Sequence, residues 1–98
     1  MEKAVAIAKL KPLEPDLRGR GVNALYLFGS TARNEARADS DLDLIFEYDP
    51  GTPFSLFTQA GIMQDLSERL GARVDLIARD GLRPRFREKV ERDMVRVF

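Results

Sequence analysis

The sequence contains no cysteine and no histidine. Without cysteine the chain can form neither a disulfide bond nor a thiolate metal site. Without histidine it cannot use zinc–imidazole chemistry, a serine–histidine triad or a histidine general base. Any catalytic or metal-binding role must therefore fall to other side chains.

The chain also lacks a long hydrophobic run and a net charge. Its apolar stretches are too short to span a membrane and its first residues do not resemble a signal peptide, so we expect a cytoplasmic globular protein without membrane contact. Its 16 basic and 16 acidic residues give a formal net charge of zero. Dedicated nucleic-acid binders carry a strong positive balance, so direct nucleic-acid binding is not expected. A length of 98 residues fits a single domain over residues 1–98.

The charges are unevenly distributed along the chain. From Glu35 to Asp49 six acidic residues stand against one basic residue, a local balance of −5. From Arg79 to Arg96 seven basic residues stand against four acidic ones, a balance of +3. Two solvated surfaces are the usual reading of such segments, and a metal site facing an anion-binding flank is the alternative.

Hydrophobic periodicity predicts an alternation of helices and short strands. Helices are predicted over residues 2–11, 31–35, 55–70 and 85–93, with a short helical turn after Pro15, and strands over residues 24–28, 41–48, 73–78 and 95–98. A polar loop is predicted over residues 37–40. The link between the first two strands holds about a dozen residues, the lower end of what a parallel crossover needs, so their relative direction stays open. The fold class is therefore α+β, a small mixed β-sheet with helices packed mainly on one face.

Apolar residues indicate the buried side of each predicted helix. In the first helix Ala4, Val5, Ala8 and Leu10 share one side. Thr52 or Ser55 can cap the helix that ends near residue 70. The inward positions of the last two helices are expected to be Leu56, Ile62, Met63, Leu66, Leu70, Phe86 and Val90.

A Gly-Ser turn directly follows the first predicted strand. Gly29 allows a sharp turn that brings backbone N–H groups close to a ligand, and Ser30 adds a hydroxyl group. The short helix that begins here would offer its N-terminus to a phosphate group. Arg33 lies about one helical turn beyond Ser30 and can bind the same phosphate through a charge-assisted hydrogen bond. This segment therefore predicts a phosphate-binding turn.

Carboxylates occupy two of the predicted strands. Asp41 and Asp43 are two residues apart, so their side chains point to the same face of a strand. Such oxygen ligands suit Mg²⁺, which usually binds through one or two carboxylates plus substrate phosphates. Asp75 lies between apolar neighbours, where a charge is costly unless it is paired or bound to a cation. If the two strands are adjacent, Asp75 can join the other two and bind metal or accept a proton from an attacking hydroxyl group.

Each of these signals is weak when taken alone. Gly-Ser is a common turn, and Asp-x-Asp usually marks a solvated strand edge. Asp75 could be an exposed edge residue or an ion-pair partner of Arg73, and Arg33 could be an ordinary surface residue. Their order and spacing together favour magnesium-dependent phosphoryl or nucleotidyl transfer.

This set of motifs resembles that of a known enzyme family. The chain combines the segments Gly29–Ser30, Ala32–Arg33, Ser40–Leu44 and Val74–Leu76. The combination resembles the minimal nucleotidyltransferases of the DNA polymerase beta superfamily, over residues 25–98. The family often has a glycine after the arginine, where this chain has Asn34, a residue type that tolerates left-handed backbone geometry.

The resemblance implies a nucleotidyltransferase fold, a site for two Mg²⁺ ions and ATP or another nucleoside triphosphate as substrate. It implies that catalysis and metal binding belong to Asp41, Asp43 and Asp75. It implies that the triphosphate is held by Gly29, Ser30 and Arg33.

The resemblance also implies a biological role. The chain is similar to MNT antitoxins that act on HEPN-type toxins, which implies transfer of AMP from ATP to a hydroxyl group, with a toxin tyrosine as the candidate, and neutralisation of a toxin ribonuclease. One alternative is a module that blocks its partner by contact alone, through Phe54, Phe57 and the arginine-rich last helix. Another is the catalytic subunit of a two-component nucleotidyltransferase. A small chain of this kind can also pair with itself or with a partner.

Overall fold

A mixed β-sheet of four strands forms the centre of the described structure. The computed structural model describes residues 1–37, 40–51 and 53–98. The strands lie in the order β3-β2-β1-β4, and their bounds are β1 Val22–Phe28, β2 Leu42–Tyr48, β3 Val74–Ala78 and β4 Val95–Arg96. β2 pairs antiparallel with β1 and parallel with β3, and β4 pairs antiparallel with β1. The predicted mixed sheet is confirmed, and the first two strands are antiparallel.

Five helices surround this sheet in the described part of the chain. They are α1 Lys3–Leu10, α2 Glu14–Gly19, α3 Gly29–Ala32, α4 Leu56–Leu70 and α5 Pro84–Asp93, with 3₁₀ turns at Lys11–Leu13 and Arg79–Gly81. None of them is long and apolar enough to cross a membrane.

Local signals explain where the longest helix begins and ends. The Ser55 hydroxyl accepts a hydrogen bond of 3.1 Å from the backbone N–H of Thr58, as an N-cap does. Gly71 ends α4 with φ of +65°, a left-handed conformation that glycine adopts without steric cost. The predicted cap at Ser55 is confirmed, whereas Thr52 lies outside the described residues, as do Ala38 and Asp39 of the predicted polar loop.

The two faces of the sheet carry separate apolar clusters. On one face α1, α2 and α4 pack against alternate strand residues, and the buried members include Leu10, Leu17, Leu25, Leu27, Leu42, Leu44, Phe46, Ile62, Leu66 and Leu76. On the other face a smaller cluster contains Ala24, Tyr26, Phe28, Ile45, Leu82 and Val90. Because strand side chains alternate between faces, Asp43 and Asp75 lie on the second face, the one that α5 covers.

Three expectations about buried helix positions are wrong. In α1 the buried residue is Ala6, together with Leu10, whereas Ala4, Val5 and Ala8 are exposed. An alanine-rich helix of eight residues carries too little contrast between its sides for periodicity to decide.

The other two corrections concern Leu56 and Phe86. Leu56 is 82% exposed, because at 100° per residue it falls to the side of the stripe formed by Ile62, Leu66 and Leu70. Phe86 is 45% exposed, although Val90 one turn later is buried as expected.

We predict that Leu44→Ala lowers the free energy of unfolding by about 2–5 kcal/mol, since the substitution leaves a cavity around a side chain that is fully buried in β2. Leu56→Ala is the matched control, because the same atoms are removed from an exposed position and the change should stay within about 0.5 kcal/mol. Urea unfolding of the three proteins measures both values. Equal losses in the two variants would contradict the placement of these leucines.

Candidate functional site

Asp43 and Asp75 lie side by side on neighbouring parallel strands. The two residues are register partners of β2 and β3, and such strands lie about 4.8 Å apart. Phe28, the last residue of β1, is the partner of Asp43 on the other side. The sheet therefore brings together two of the three predicted carboxylates next to the Gly-Ser turn.

Gly29 approaches the carboxylate of Asp43 so closely that no side chain fits between them. A Cβ atom built on Gly29 would lie 2.6 Å from Oδ2 of Asp43, a distance that real Cβ atoms do not adopt. Gly29 also has φ of +72°, in the left-handed region that favours glycine. Two independent constraints thus require glycine at the end of β1.

Burial and like charge raise the pKa of the Asp43 carboxyl above its ordinary value. Loss of hydration is the largest cause, followed by the negative charges of Asp75 and then Asp41, and the positive charge of Arg33 opposes them. Among the charged groups that act on Asp43, the two acids therefore outweigh the single cation, Arg33.

Asp41 is less firmly placed than Asp43. It lies one residue before β2 begins, and its Oδ2 atom is 3.9 Å from Nε of Arg73. Both side chains are exposed, 44% for Asp41 and 80% for Arg73, so this ion pair contributes little stability. One alternative interpretation had expected Arg73 to pair with Asp75, but Arg73 pairs with Asp41 instead.

The remaining predicted residues lie in and just after α3. This helix begins at Gly29, two residues before the predicted start, so both Gly29 and Ser30 belong to its first turn. Arg33 follows α3 and forms ion pairs of 3.2 Å with Glu35 and 3.7 Å with Asp93. Asn34 has φ of +59°, the left-handed geometry that its residue type tolerates.

The donor set fits a hard divalent cation. Asp41, Asp43 and Asp75 offer carboxylate oxygens, which Mg²⁺ prefers, and their mutual repulsion is what a bound cation would relieve. Among the described residues, no three acidic side chains are already gathered closely enough to hold a metal ion. The three-carboxylate site therefore stays a prediction. In the described part of the chain, only a weak contact with Arg73 opposes rotation of the Asp41 side chain toward the other two acids.

Sequence reasoning offered the basic segment that contains α5 as an anion-binding flank in general terms only, and it did not single out any residue of this helix for the site. Phe86 and Lys89 line a cavity of about 100 Å³ that also reaches Gly29 and Arg33. Their spacing of three residues places them on one side of α5, but periodicity alone cannot tell which part of the sheet a helix covers.

A larger cavity of about 320 Å³ lies at the far end of β2, beside Glu47 and Arg79. Its charged groups are already paired, since Arg79 lies 3.2 Å from Glu47 and 3.1 Å from Glu91. Because the clustered carboxylates are at the other end of the strand, we place the candidate site near Asp43.

Comparisons with known proteins agree on one family. The family model described as nucleotidyltransferase domain matches residues 7–97. The protein adenylyltransferase MntA of Thermococcus cleftensis is 34% identical over 83 residues, which cover 84% of this chain and 82% of the relative. A solved structure provisionally described as a minimal nucleotidyltransferase superposes with a TM-score of 0.81 and 36% identity, over 97% of this chain and 95% of that one.

A more distant solved structure has the same fold. It is a complex of a Shewanella oneidensis HEPN toxin with an MNT antitoxin, with a TM-score of 0.69 and 18% identity over 98% of this chain and 71% of that one.

We predict that Gly29→Ala lowers the free energy of unfolding by about 1–3 kcal/mol, because the new methyl group forces Asp43 to move and the left-handed backbone is strained. Gly61→Ala is the control, since a Cβ atom at this exposed position of α4 meets nothing within 4 Å. It should raise stability by about 0.5–1 kcal/mol through helix propensity. Chemical denaturation measures the change in unfolding free energy, which should be negative for Gly29→Ala and positive for Gly61→Ala. A stabilised Gly29→Ala variant would refute the close approach.

We predict that Asp43→Asn raises the Tm measured without divalent cations, because it removes a charge that burial and its acidic neighbours disfavour. A rise of about 2–4 °C corresponds to roughly 0.5 kcal/mol in a domain of this size. Asp65→Asn should lower the Tm, since hydrogen bonds from Arg20 and Arg69 hold the pKa of Asp65 below its ordinary value. Scanning calorimetry decides, and a lower Tm for Asp43→Asn would contradict the repulsion described above.

Proposed function

Because this chain belongs to the nucleotidyltransferase domain family, we propose that it transfers AMP from ATP to a hydroxyl group of a partner protein in a reaction that needs Mg²⁺. The observation that carries the proposal is the in-register pair of Asp43 and Asp75 next to the Gly29 turn. The Thermococcus cleftensis relative is named a protein adenylyltransferase, which supports a protein as the acceptor.

The proposed step replaces a phosphoanhydride bond of ATP with a phosphate ester bond to the acceptor. The oxygen of the acceptor hydroxyl group bonds to the α-phosphorus of ATP while the bond to the bridging oxygen of the β-phosphate breaks. AMP becomes attached to the acceptor, and pyrophosphate leaves. The hydroxyl proton passes to a carboxylate, and Asp75 is the candidate because it lies beside Asp43 on the neighbouring strand.

The other site residues would hold the phosphate groups and the metal ion. Because Gly29 has no side chain, the Asp43 carboxylate lies directly against the turn, and phosphate oxygens can approach the backbone N–H groups of the turn. Ser30 and Arg33 supply a hydroxyl group and a positive charge for those oxygens. Asp41, Asp43 and Asp75 would hold Mg²⁺, which when bound neutralises charge on the transferred phosphoryl group.

A HEPN-type toxin is the proposed acceptor, and the acceptor group is a tyrosine hydroxyl. The Shewanella oneidensis complex joins an MNT antitoxin of this fold to a HEPN toxin that carries AMP groups. By extension, this chain would act as an antitoxin in a hetero-oligomer with such a toxin.

Neutralisation by contact alone is the second candidate function. It is favoured by Leu56 and Phe57 at the start of α4, which are 82% and 90% exposed. Exposed apolar side chains in neighbouring positions are characteristic of protein interfaces. Phe54 is not available for this role, because it packs on Phe46 and Tyr48 with ring centroids 5.1 and 5.4 Å away.

We predict that the purified chain, incubated with α-labelled ATP, Mg²⁺ and a HEPN-type toxin, transfers label to a toxin tyrosine. The double substitution Asp41→Asn and Asp43→Asn should lower the transfer rate at least about 100-fold, because it removes two charged metal ligands. Glu68→Gln, an exposed change on α4, is the matched control and should leave the rate unchanged.

Two results would decide against adenylyl transfer. One is the absence of label on the toxin with the unaltered chain, and the other is equal labelling by the double variant. If the double variant still suppresses the toxin ribonuclease as strongly as the unaltered chain, contact alone accounts for neutralisation.

A further inference from the structure

The cavity of about 100 Å³ between the Gly29 turn and α5 adjoins the proposed reaction site. Gly29 lies in its wall, and Gly29 is also the residue that approaches Asp43. Typical ligand pockets measure about 300–1,000 Å³, so this cavity can enclose only part of a nucleotide. Its position means that a nucleotide whose phosphates lie near Asp43 would contact α5.

The two cations that line this cavity differ in how their charges are balanced. Arg33 already lies 3.2 Å from Glu35 and 3.7 Å from Asp93. Lys89 forms no ion pair with any carboxylate in the part of the chain that the structure describes, residues 1–37, 40–51 and 53–98. Lys89 is therefore the cation that an incoming anion can approach without displacing an existing partner.

Phe86 supplies an aromatic surface in the same cavity. Its ring meets Phe28 edge to face, at a centroid distance of 6.5 Å and an interplanar angle of 85°. This contact anchors the ring to the end of β1, yet 45% of the residue stays exposed. An anchored aromatic ring with an open surface is suited to stack on a nucleobase.

The ion pair between Arg33 and Asp93 joins this helix to the turn. Burial of Val90 and the contact between Phe86 and Phe28 pack this side of α5 against the sheet next to Gly29. The ring of Phe86 and the ammonium group of Lys89 are thus presented from a helix that is tied to the sheet.

We propose that α5 forms the second wall of the nucleotide site, in which Lys89 binds the phosphates and Phe86 stacks on the base. This inference rests on the proposed function, since it assumes that a nucleoside triphosphate binds beside Asp43. It assigns positioning roles to two residues of a basic helix, for which the sequence alone left open a solvated surface or an anion-binding flank.

Titration calorimetry with two probes, Mg·ATP and magnesium tripolyphosphate, tests the assignment, because tripolyphosphate has no base. Lys89→Met should weaken the binding of both probes about tenfold, the effect of losing one charge-assisted contact. Phe86→Ala should weaken the binding of ATP about fivefold to tenfold and leave the binding of tripolyphosphate unchanged.

Conservative variants separate these roles from folding defects. Lys89→Arg and Phe86→Tyr should bind both probes nearly as well as the unaltered chain. Arg92→Met, another exposed cation on α5 that does not line the cavity, should have no effect. If Phe86→Ala does not fold, Phe86→Leu replaces it, because leucine keeps apolar packing but has no flat ring.

Unchanged ATP binding in Lys89→Met and in the Phe86 variant would overturn the inference, and the proposed function would stand. Equal weakening of ATP and tripolyphosphate by the Phe86 substitution would also overturn it, since the ring would then not act on the base. Failure of the unaltered chain to bind either probe would contradict the proposed function as well as this inference.

Discussion

The close approach between Gly29 and the carboxylate of Asp43 is the contact on which the candidate site depends. The pairing of Phe28 with Asp43 fixes the end of β1 against the start of β2, and the close approach leaves no room for a side chain between the turn and the acid. The parallel pairing of β2 with β3 then places Asp75 beside Asp43. A turn suited to phosphate and a pair of carboxylates are thus brought together by backbone pairing rather than by side-chain contacts.

This arrangement concentrates negative charge on a face of the sheet that is partly removed from water. Burial, followed by the negative charges of Asp75 and Asp41, raises the pKa of Asp43, so placing this charge here costs stability in the unliganded protein. The packed face on the other side of the sheet, with α1, α2 and α4, offsets that cost through burial of its apolar side chains. Residues of the candidate site and residues that stabilise the fold therefore alternate along β2.

Much of this organisation could be predicted from the sequence because it rests on local signals. Hydrophobic periodicity predicted the strand that forms β2, and the predicted cap at Ser55 and the predicted end near residue 70 match the limits of α4. The sequence could not predict that Asp43 and Asp75 are adjacent, because no local sequence signal shows which strands pair across about 30 residues.

The role of α5 could not be predicted for a related reason. Its side chains repeat every three to four residues, which indicates an inward side but not the part of the sheet that the helix crosses. Phe86 was expected in the core and is instead half-exposed beside the Gly29 turn. The acidic residues of the candidate site could be named from the sequence, whereas the position of α5 beside the Gly29 turn follows only from tertiary packing.

The most direct test of the central claim is a crystal structure of the chain with Mn²⁺ and a non-hydrolysable ATP analogue, in which anomalous scattering locates the ion. The account predicts an ion within about 2.0–2.3 Å of carboxylate oxygens of both Asp43 and Asp75 and in contact with the bound phosphates. An ion bound to the phosphates alone, with the carboxylate of Asp75 turned away from it, would contradict the account.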